Sequence, residues 1–523
     1  MSTIKKDGGK ILPDNGPVDL TYDREQQIYE SGVEKFNQLG WKRLTIVLIV
    51  EAVALGTLSI PSTFATLGMV AGVICCVGIG LIAVYTSYII GQVKVKFPQI
   101  SNYPEAGRMM FGRWGYEIVF VMLCLELLLS AGSHCLTGKI AFENIVGGHI
   151  MCSVIWAFIS AIILLLLAIP PSFSDMAILG YIDFVSIIIA VGITIIGTGV
   201  QASSSTGLAA VNWSAWPKDN LTFAEAFIAL SNIIFAYSFA LCQFSFMDEM
   251  HTPTDFPKSV WALGLAEIGI YTITGALVYA FVGQDVASPA LLSAGNLLSR
   301  VAFGIALPVI FISGSINTVV LGRLVHGRMF KDSNIRFINT KLGWGTWLAV
   351  VTVLTILEFI VAEVIPFFDD LLSLISSLFI SGFTFYFPAI MWFMFIRGDS
   401  TSKGIKTLLD VVNACILVIG LIVLGAGTYS SIVDIVSGLR LFSPCAKTNN
   451  CLKRLTPMPK VLLGECFPAR LEFSTAWFCI DIDNIIDAYF NCNFRASIPS
   501  FGTIQCQFHR CFVAEFLLKF LEL

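Results

Sequence analysis

The sequence predicts an all-α polytopic membrane protein with about 11 transmembrane helices, arranged as a five-plus-five inverted repeat with discontinuous helices one and six. Three observations predict this. The 523-residue chain is 56% hydrophobic and only 13% charged, and its mean hydropathy is +0.80. Soluble domains carry about 25% charged residues. Eleven apolar runs, each long enough to cross a bilayer, follow one another between polar or Gly/Pro-rich breaks. The first and sixth runs are each interrupted where an anchoring helix has no need of interruption.

The runs lie near 44–67, 69–92, 116–136, 151–169, 176–200, 222–247, 259–282, 298–322, 346–366, 371–396 and 408–431. Only Gly68 separates the first two. Basic residues set the orientation. With the N-terminus in the cytoplasm, the inside segments of the first 436 residues hold 20 Lys and Arg, and the outside segments hold 3. Two sequons, Asn212-Trp213-Ser214 and Asn220-Leu221-Thr222, fall together in a loop placed outside by this count. Asn212 and Asn220 are therefore candidate glycosylation sites. Plasma membrane fits this loop best, with a vacuolar membrane as the alternative.

The first run carries Glu51 and a break-prone centre, Gly56-Thr57-Leu58-Ser59-Ile60-Pro61. A carboxylate inside the bilayer costs about 2.5–3.5 kcal/mol on insertion scales. Gly and Pro leave backbone groups that hydrocarbon cannot satisfy. The sixth run reads Phe235-Ala236-Tyr237-Ser238-Phe239 at its centre, without Leu, Ile or Val. The link after run two carries the helix-like Tyr103–Met110, and the link after run seven carries Ser288–Gly295. Those links lie on opposite sides of the membrane, as an inverted repeat requires. Paired discontinuous helices at the midplane are the pattern of many secondary transporters.

Several segments resemble the amino acid/auxin permease family, and most closely the fungal neutral amino acid permeases. They are Gly40–Arg43, Glu51–Pro61, Tyr103–Gly107, Gly112–Gly115, Ser133–Gly138 and Met250–Phe256. The resemblance covers roughly residues 40–436. It implies a fold like that of the bacterial leucine transporter, with proton-coupled uptake of neutral amino acids. It implies no resident cofactor and leaves sodium coupling open. The expected partners are a neutral amino acid and the lipid bilayer, with no nucleic acid, and a monomer suffices.

A zwitterionic substrate between the two broken runs suits opposite dipole ends. Backbone N–H groups of Ala54, Leu55, Gly56, Thr57 and Leu58 would meet its carboxylate. Carbonyls of Phe235, Ala236, Tyr237 and Ser238 would meet its ammonium. Phe235 and Tyr237 would also shape a side-chain pocket, or they are ordinary packing residues. Glu51 either takes part in coupling or gating or pairs structurally. His134, well inside run three, has the titration range for proton transfer and equally suits a packed core. Ser313, Ser315, Asn317 and Thr318 in run eight keep a sodium site open, although hydroxyls also mediate helix packing in lipid. Glu126, Asp183, Glu267, Glu358 and Glu363 are further acids in or near the runs, with no role assigned.

No nucleophile–base cluster, zinc-ligand spacing or phosphate-binding Gly-rich loop points to an enzyme. No repeated pore ring points to a channel. A transporter-like sensor would carry the same site as a carrier. The polar first 42 residues lack a signal peptide and have disordered composition. Of 14 cysteines, the 7 before residue 440 sit in or beside apolar runs, where Cys behaves as a small hydrophobe. The other 7 crowd into residues 437–523, a segment without helical period. That tail is expected to fold poorly. It reads either as a disulfide module or as a spurious reading frame, and it informs nothing about function.

Overall fold

The first predicted span is two helices rather than one. The computed structural model describes residues 40–442 except 148–151, 172–175, 206, 208–210, 249, 251, 332, 334, 336–337, 339 and 400–402. Helix α1 (Trp41–Ala52) ends at Val53, and α2 (Leu55–Leu67) starts after Ala54, whose φ −122° and ψ −126° lie outside the helical region. The break therefore falls just before the Gly56–Pro61 stretch, which is itself helical. Pro61 sits inside α2 and has no N–H for the Thr57 carbonyl four residues back. The helix continues through Pro61 despite that loss, and Leu55 through Pro61 are all buried.

Gly68 turns the chain from α2 into α3 (Met69–Lys96) with φ +80°. A Cβ there would stand 2.4 Å from the Trp216 backbone carbon, so a side chain is excluded on two grounds. The adjacent Met69 and Val70 N–H groups donate to the Ser214 and Ala215 carbonyls. This seats the loop with the two sequons over the end of α2.

Helix α4 (Tyr103–Val146) joins the predicted link segment to run three, with a kink at Gly112 (φ +69°). Asn102 caps it by accepting from the Glu105 N–H. Helices α5 (Ser153–Ala168) and α6 (Met176–Ser205) follow. Helix α7 (Phe223–Ala236) opens on a capping box between Thr222 and Glu225. It ends at Tyr237, where φ −100° and ψ 39° leave the helical region. A 3₁₀ turn, Ser238–Ala240, leads to the short α8 (Gln243–Asp248). The second break thus falls inside the predicted 235–239 stretch.

Helices α9 (Phe256–Val282), α10 (Asn296–Met329) and α11 (Lys341–Val364) continue the second half. The Ser288–Gly295 link holds a 3₁₀ segment, Ala290–Ala294, where its counterpart is the first part of α4. Helix α12 (Phe368–Ile396) contains π-helical stretches at Ser376–Ile380, Gly382–Tyr386 and Trp392–Ile396. Helix α13 (Lys403–Ile422) passes through a π stretch into α14 (Thr428–Phe442). The helix continues past residue 436, where the change of character was placed. The rest of the Cys-rich tail, the N-terminal tail up to residue 39 and Glu249 lie outside the described residues.

Among the described residues, eight helical segments are long and apolar enough to cross a membrane, and α5 and α7 are shorter apolar helices. Their outward faces are greasy: Ile74, Ile118, Leu166, Ile196, Leu265 and Val353 are all more than half exposed. Such contiguous apolar surface suits lipid rather than water. One large core runs between the helices, with α2 and α7 at its centre. The cysteine reading holds for Cys75, Cys76, Cys124, Cys135, Cys242 and Cys415, which are free thiols. Cys152 differs, being disulfide-bonded.

Candidate functional site

The two breaks meet. Gly56, in the first turn of α2, lies flat against the last residue of α7. A Cβ on Gly56 would stand 2.7 Å from Ala236 Cα and 2.9 Å from its Cβ. The absence of a side chain is what lets the backbones touch. The first N–H groups of α2 have no partner four residues back, although Thr57 N–H reaches the Ala54 carbonyl at 3.2 Å. The dipoles of α2 and α7 therefore bring a positive and a negative end to one place.

A third helix ties the broken ends together. The Tyr271 hydroxyl of α9 lies 2.9 Å from the Ala52 carbonyl, at the end of α1, and 3.2 Å from the Ala236 carbonyl, at the end of α7. It has one proton to share between these two acceptors, of which the Ala52 carbonyl also accepts from the Ala54 N–H at 3.0 Å. Its ring meets that of Tyr237 edge-on, with centroids 5.2 Å apart. Tyr237 is fully buried, and its hydroxyl lies 3.4 Å from Cys76 Sγ of α3.

Of the residues expected on the N–H side, Ala54, Leu55, Thr57 and Leu58 are all buried with Gly56 around this contact. On the carbonyl side, two of the four expected acceptors already have partners. The Ala236 carbonyl accepts from Tyr271, and the Ser238 carbonyl accepts from the Leu241 N–H. Phe235 lines the core beside them. The backbone of Glu51 lies in the last turn of α1; its side chain lies outside the described residues.

The other expected positions bond to groups outside the breaks. His134 is buried in α4, with Nδ1 2.8 Å from the Ile310 carbonyl of α10. Ser313 donates to Asp183 at 2.6 Å, Ser315 to the Ile312 carbonyl of its own helix, and Asn317 to Ser130 at 3.3 Å. These bonds join α10 to α6 and α4. Asn212 and Asn220 are both exposed on the loop over α2.

The site is shut on both sides. On the sequon-bearing face, Asp369 at the start of α12 accepts from Ser62 of α2 at 3.0 Å and from Ser288 at 2.6 Å. On the opposite face, Ser259 donates to the Trp41 carbonyl at 3.0 Å, and Gln243 donates to the Ser87 carbonyl at 2.6 Å. A groove of about 300 Å³ lined by Tyr85, Tyr88, Ile89, Gln92, Trp392, Ile396 and Leu409 opens elsewhere, and no residue of the breaks lines it.

Sequence reasoning missed Tyr271 and Asp369. Tyr271 stands in an ordinary apolar run, and nothing local marks its hydroxyl as a bridge. Asp369 precedes a predicted span and reads as a helix-end acid. Of the five unassigned acids, Asp183 accepts from Ser313, Glu358 from Thr318 at 2.9 Å, and Glu363 pairs with Lys139 at 2.7 Å. Glu126 also has a partner. Glu267 stands apart: it is fully buried, and neither oxygen has a hydrogen-bond partner of good geometry among the described residues.

These features define an integral membrane protein of the transporter class, with two broken helices packed at a closed centre. Residues 37–433 match the family model described as "Transmembrane amino acid transporter protein", and the chain belongs to that family. An "N amino acid transport system protein" of Neurospora crassa is 59% identical over 416 residues, covering 79% of this chain and 88% of that protein. A "Transmembrane transporter" of Gibberella moniliformis is 28% identical, covering 80% and 90%. "Amino acid transporter AVT1J" of Arabidopsis thaliana is 26% identical, covering 73% and 88%. Among solved structures, a nucleobase-cation-symport-1 family transporter in a closed conformation superposes with a TM-score of 0.48 at 13% identity, covering 77% of this chain and 93% of that one.

Proposed function

We propose that this protein is a secondary carrier that imports neutral aliphatic and aromatic amino acids by proton symport with alternating access. The carrying observation is the meeting of the α2 N-terminus with the α7 C-terminus through Gly56 and Ala236. A zwitterion has a carboxylate for the first and an ammonium for the second. The family and the name of the Neurospora relative support an amino acid as the substrate. Leu55, Leu58, Phe235 and Tyr237 stand at the breaks, an apolar and aromatic set that suits neutral side chains.

Proton coupling is preferred to sodium on the family resemblance alone; the Ser313, Ser315 and Thr318 hydroxyls of α10 donate to protein acceptors, and a donating hydroxyl keeps lone pairs on its oxygen. The reading places the N-terminus in the cytoplasm, the sequon loop outside and the protein in the plasma membrane, acting as a monomer across about 11 spans.

The test is uptake of radiolabelled leucine, phenylalanine and glutamate into proteoliposomes at two external pH values, with and without sodium. Sodium-independent uptake of leucine and phenylalanine that rises at acid external pH is expected. Sodium dependence would replace the proton, and saturable binding without flux would favour a sensor.

A further inference from the structure

We infer that Glu267 of α9 carries the coupling proton through the closed state, and that Tyr271 links its charge to the two broken helices. The inference rests on the proton-coupled carrier reading and names the residue responsible. Glu267 is 0% exposed, and both carboxyl oxygens lack a hydrogen-bond donor of good geometry among the described residues. A buried carboxylate without cation or donor is strongly disfavoured, whereas the neutral acid is tolerated.

The groups around it supply no countercharge. Helix α2 presents Thr57 to Tyr271, with a buried hydroxyl that lacks a partner of good geometry among the described residues. Helix α3 presents the Cys76 thiol, and the break after α7 presents the Tyr237 phenol, both within electrostatic reach of Glu267. Helix α9 itself adds Tyr271 one turn further on. On α6, Asp183 is occupied with Ser313, and Tyr181 is exposed. Helix α1 brings its Ala52 carbonyl through Tyr271, together with Glu51, whose side chain is not described. No described lysine, arginine or histidine pairs with Glu267.

Tyr271 makes the proton matter. It lies beside Glu267, yet its well-formed hydrogen bonds go to the Ala52 and Ala236 carbonyls. That choice fits a neutral Glu267, which does not compete for the hydroxyl proton. Loss of the Glu267 proton to water creates a far stronger acceptor one helical turn away. Tyr271 would then turn to the carboxylate and release both helix ends. The closed arrangement therefore needs the proton, and opening to water frees it. Ser62–Asp369–Ser288 on one face and Ser259–Trp41 on the other keep water out until then.

The experiment compares wild type, Glu267→Gln and Glu267→Asp in proteoliposomes. Glu267→Gln is isosteric and permanently neutral. It is expected to retain leucine counterflow within a few-fold while leucine accumulation driven by an imposed pH gradient falls at least ten-fold. The pH dependence should flatten, and Glu267→Asp should restore part of it. A Glu267→Gln protein that accumulates leucine on a pH gradient as wild type does overturns the assignment. Wild type that transports no amino acid overturns the carrier reading and the assignment with it. Should neither variant reach the membrane, the wild-type protein is treated with a hydrophobic carbodiimide and mapped by mass spectrometry. Modification at Glu267 that declines with rising pH supports the assignment, and an unmodified Glu267 at acid pH overturns it.

Discussion

Gly56 and Ala236 touch through their backbones: a Cβ on the glycine would lie 2.7 Å from the alanine Cα. The obstacle is main chain, which cannot rotate aside. Gly56→Ala should therefore push α2 from α7, at a cost of about 1–3 kcal/mol for overpacking. Leucine uptake per molecule at the cell surface should fall at least ten-fold, and the thermal midpoint in detergent should drop. Normal uptake by Gly56→Ala would remove this contact from the site.

Tyr271→Phe deletes one hydroxyl, strips the Ala236 carbonyl of its donor and leaves the Ala52 carbonyl with the Ala54 N–H alone. A buried acceptor stripped of its partner costs about 1–3 kcal/mol. Thermal unfolding should shift down accordingly. Because both lost bonds end on broken helices, the Michaelis constant for leucine should change more than the amount of protein in the membrane.

Asp369 clasps Ser62 of α2 and Ser288 in the link before α10. Asp369→Ala removes both acceptors at once and should loosen the sequon-bearing face. Cys76, buried at 0% beside Tyr237, reports on that opening. Its alkylation rate, followed by peptide mass spectrometry, should rise several-fold in the variant. An unchanged rate would show that the clasp does not hold the face shut.

Lys139 and Glu363 form a 2.7 Å ion pair with side chains only 6% and 11% exposed. It joins α4 to α11 at some distance in sequence. Removing one partner strands the other charge, which costs about 3–5 kcal/mol. Lys139→Met should lower stability by that order, and the added change Glu363→Met should recover much of it. A double-mutant cycle on thermal midpoints measures the difference.

Asn212 and Asn220 are exposed in the loop that covers Gly68. Expressed in a eukaryotic cell, the protein should migrate more slowly than after glycosidase treatment. Asn212→Gln combined with Asn220→Gln should abolish the shift while leaving leucine uptake within about two-fold, since neither side chain supports the core. Absence of any shift in wild type would argue against the assigned orientation.

Much of the architecture was legible in the chain. Apolar runs marked the helices because hydrocarbon forces every backbone group into internal hydrogen bonds. The second break was visible at Phe235–Phe239, and the close approach was foreshadowed by Gly56. The first break was misplaced. Gly56 and Pro61 suggest a break at their own positions, whereas the helix parts at Val53-Ala54, where the Tyr271 hydroxyl and the Ala54 N–H take the Ala52 carbonyl. Local propensity yields there to a bond from a residue more than two hundred positions away.

The sequence by itself determined the membrane class, the order of spans and the pair of interrupted helices. Those follow from hydropathy and from basic residues counted along the chain. Only the tertiary structure decided which polar groups are satisfied. Asp183, Glu358 and Glu363 look alike to Glu267 as acids in apolar surroundings, yet three have partners on other helices, whereas Glu267 has no hydrogen bond of good geometry among the described residues. Partnership in a bilayer is a matter of which helix faces which, and that is set by packing between distant segments rather than by neighbours in sequence.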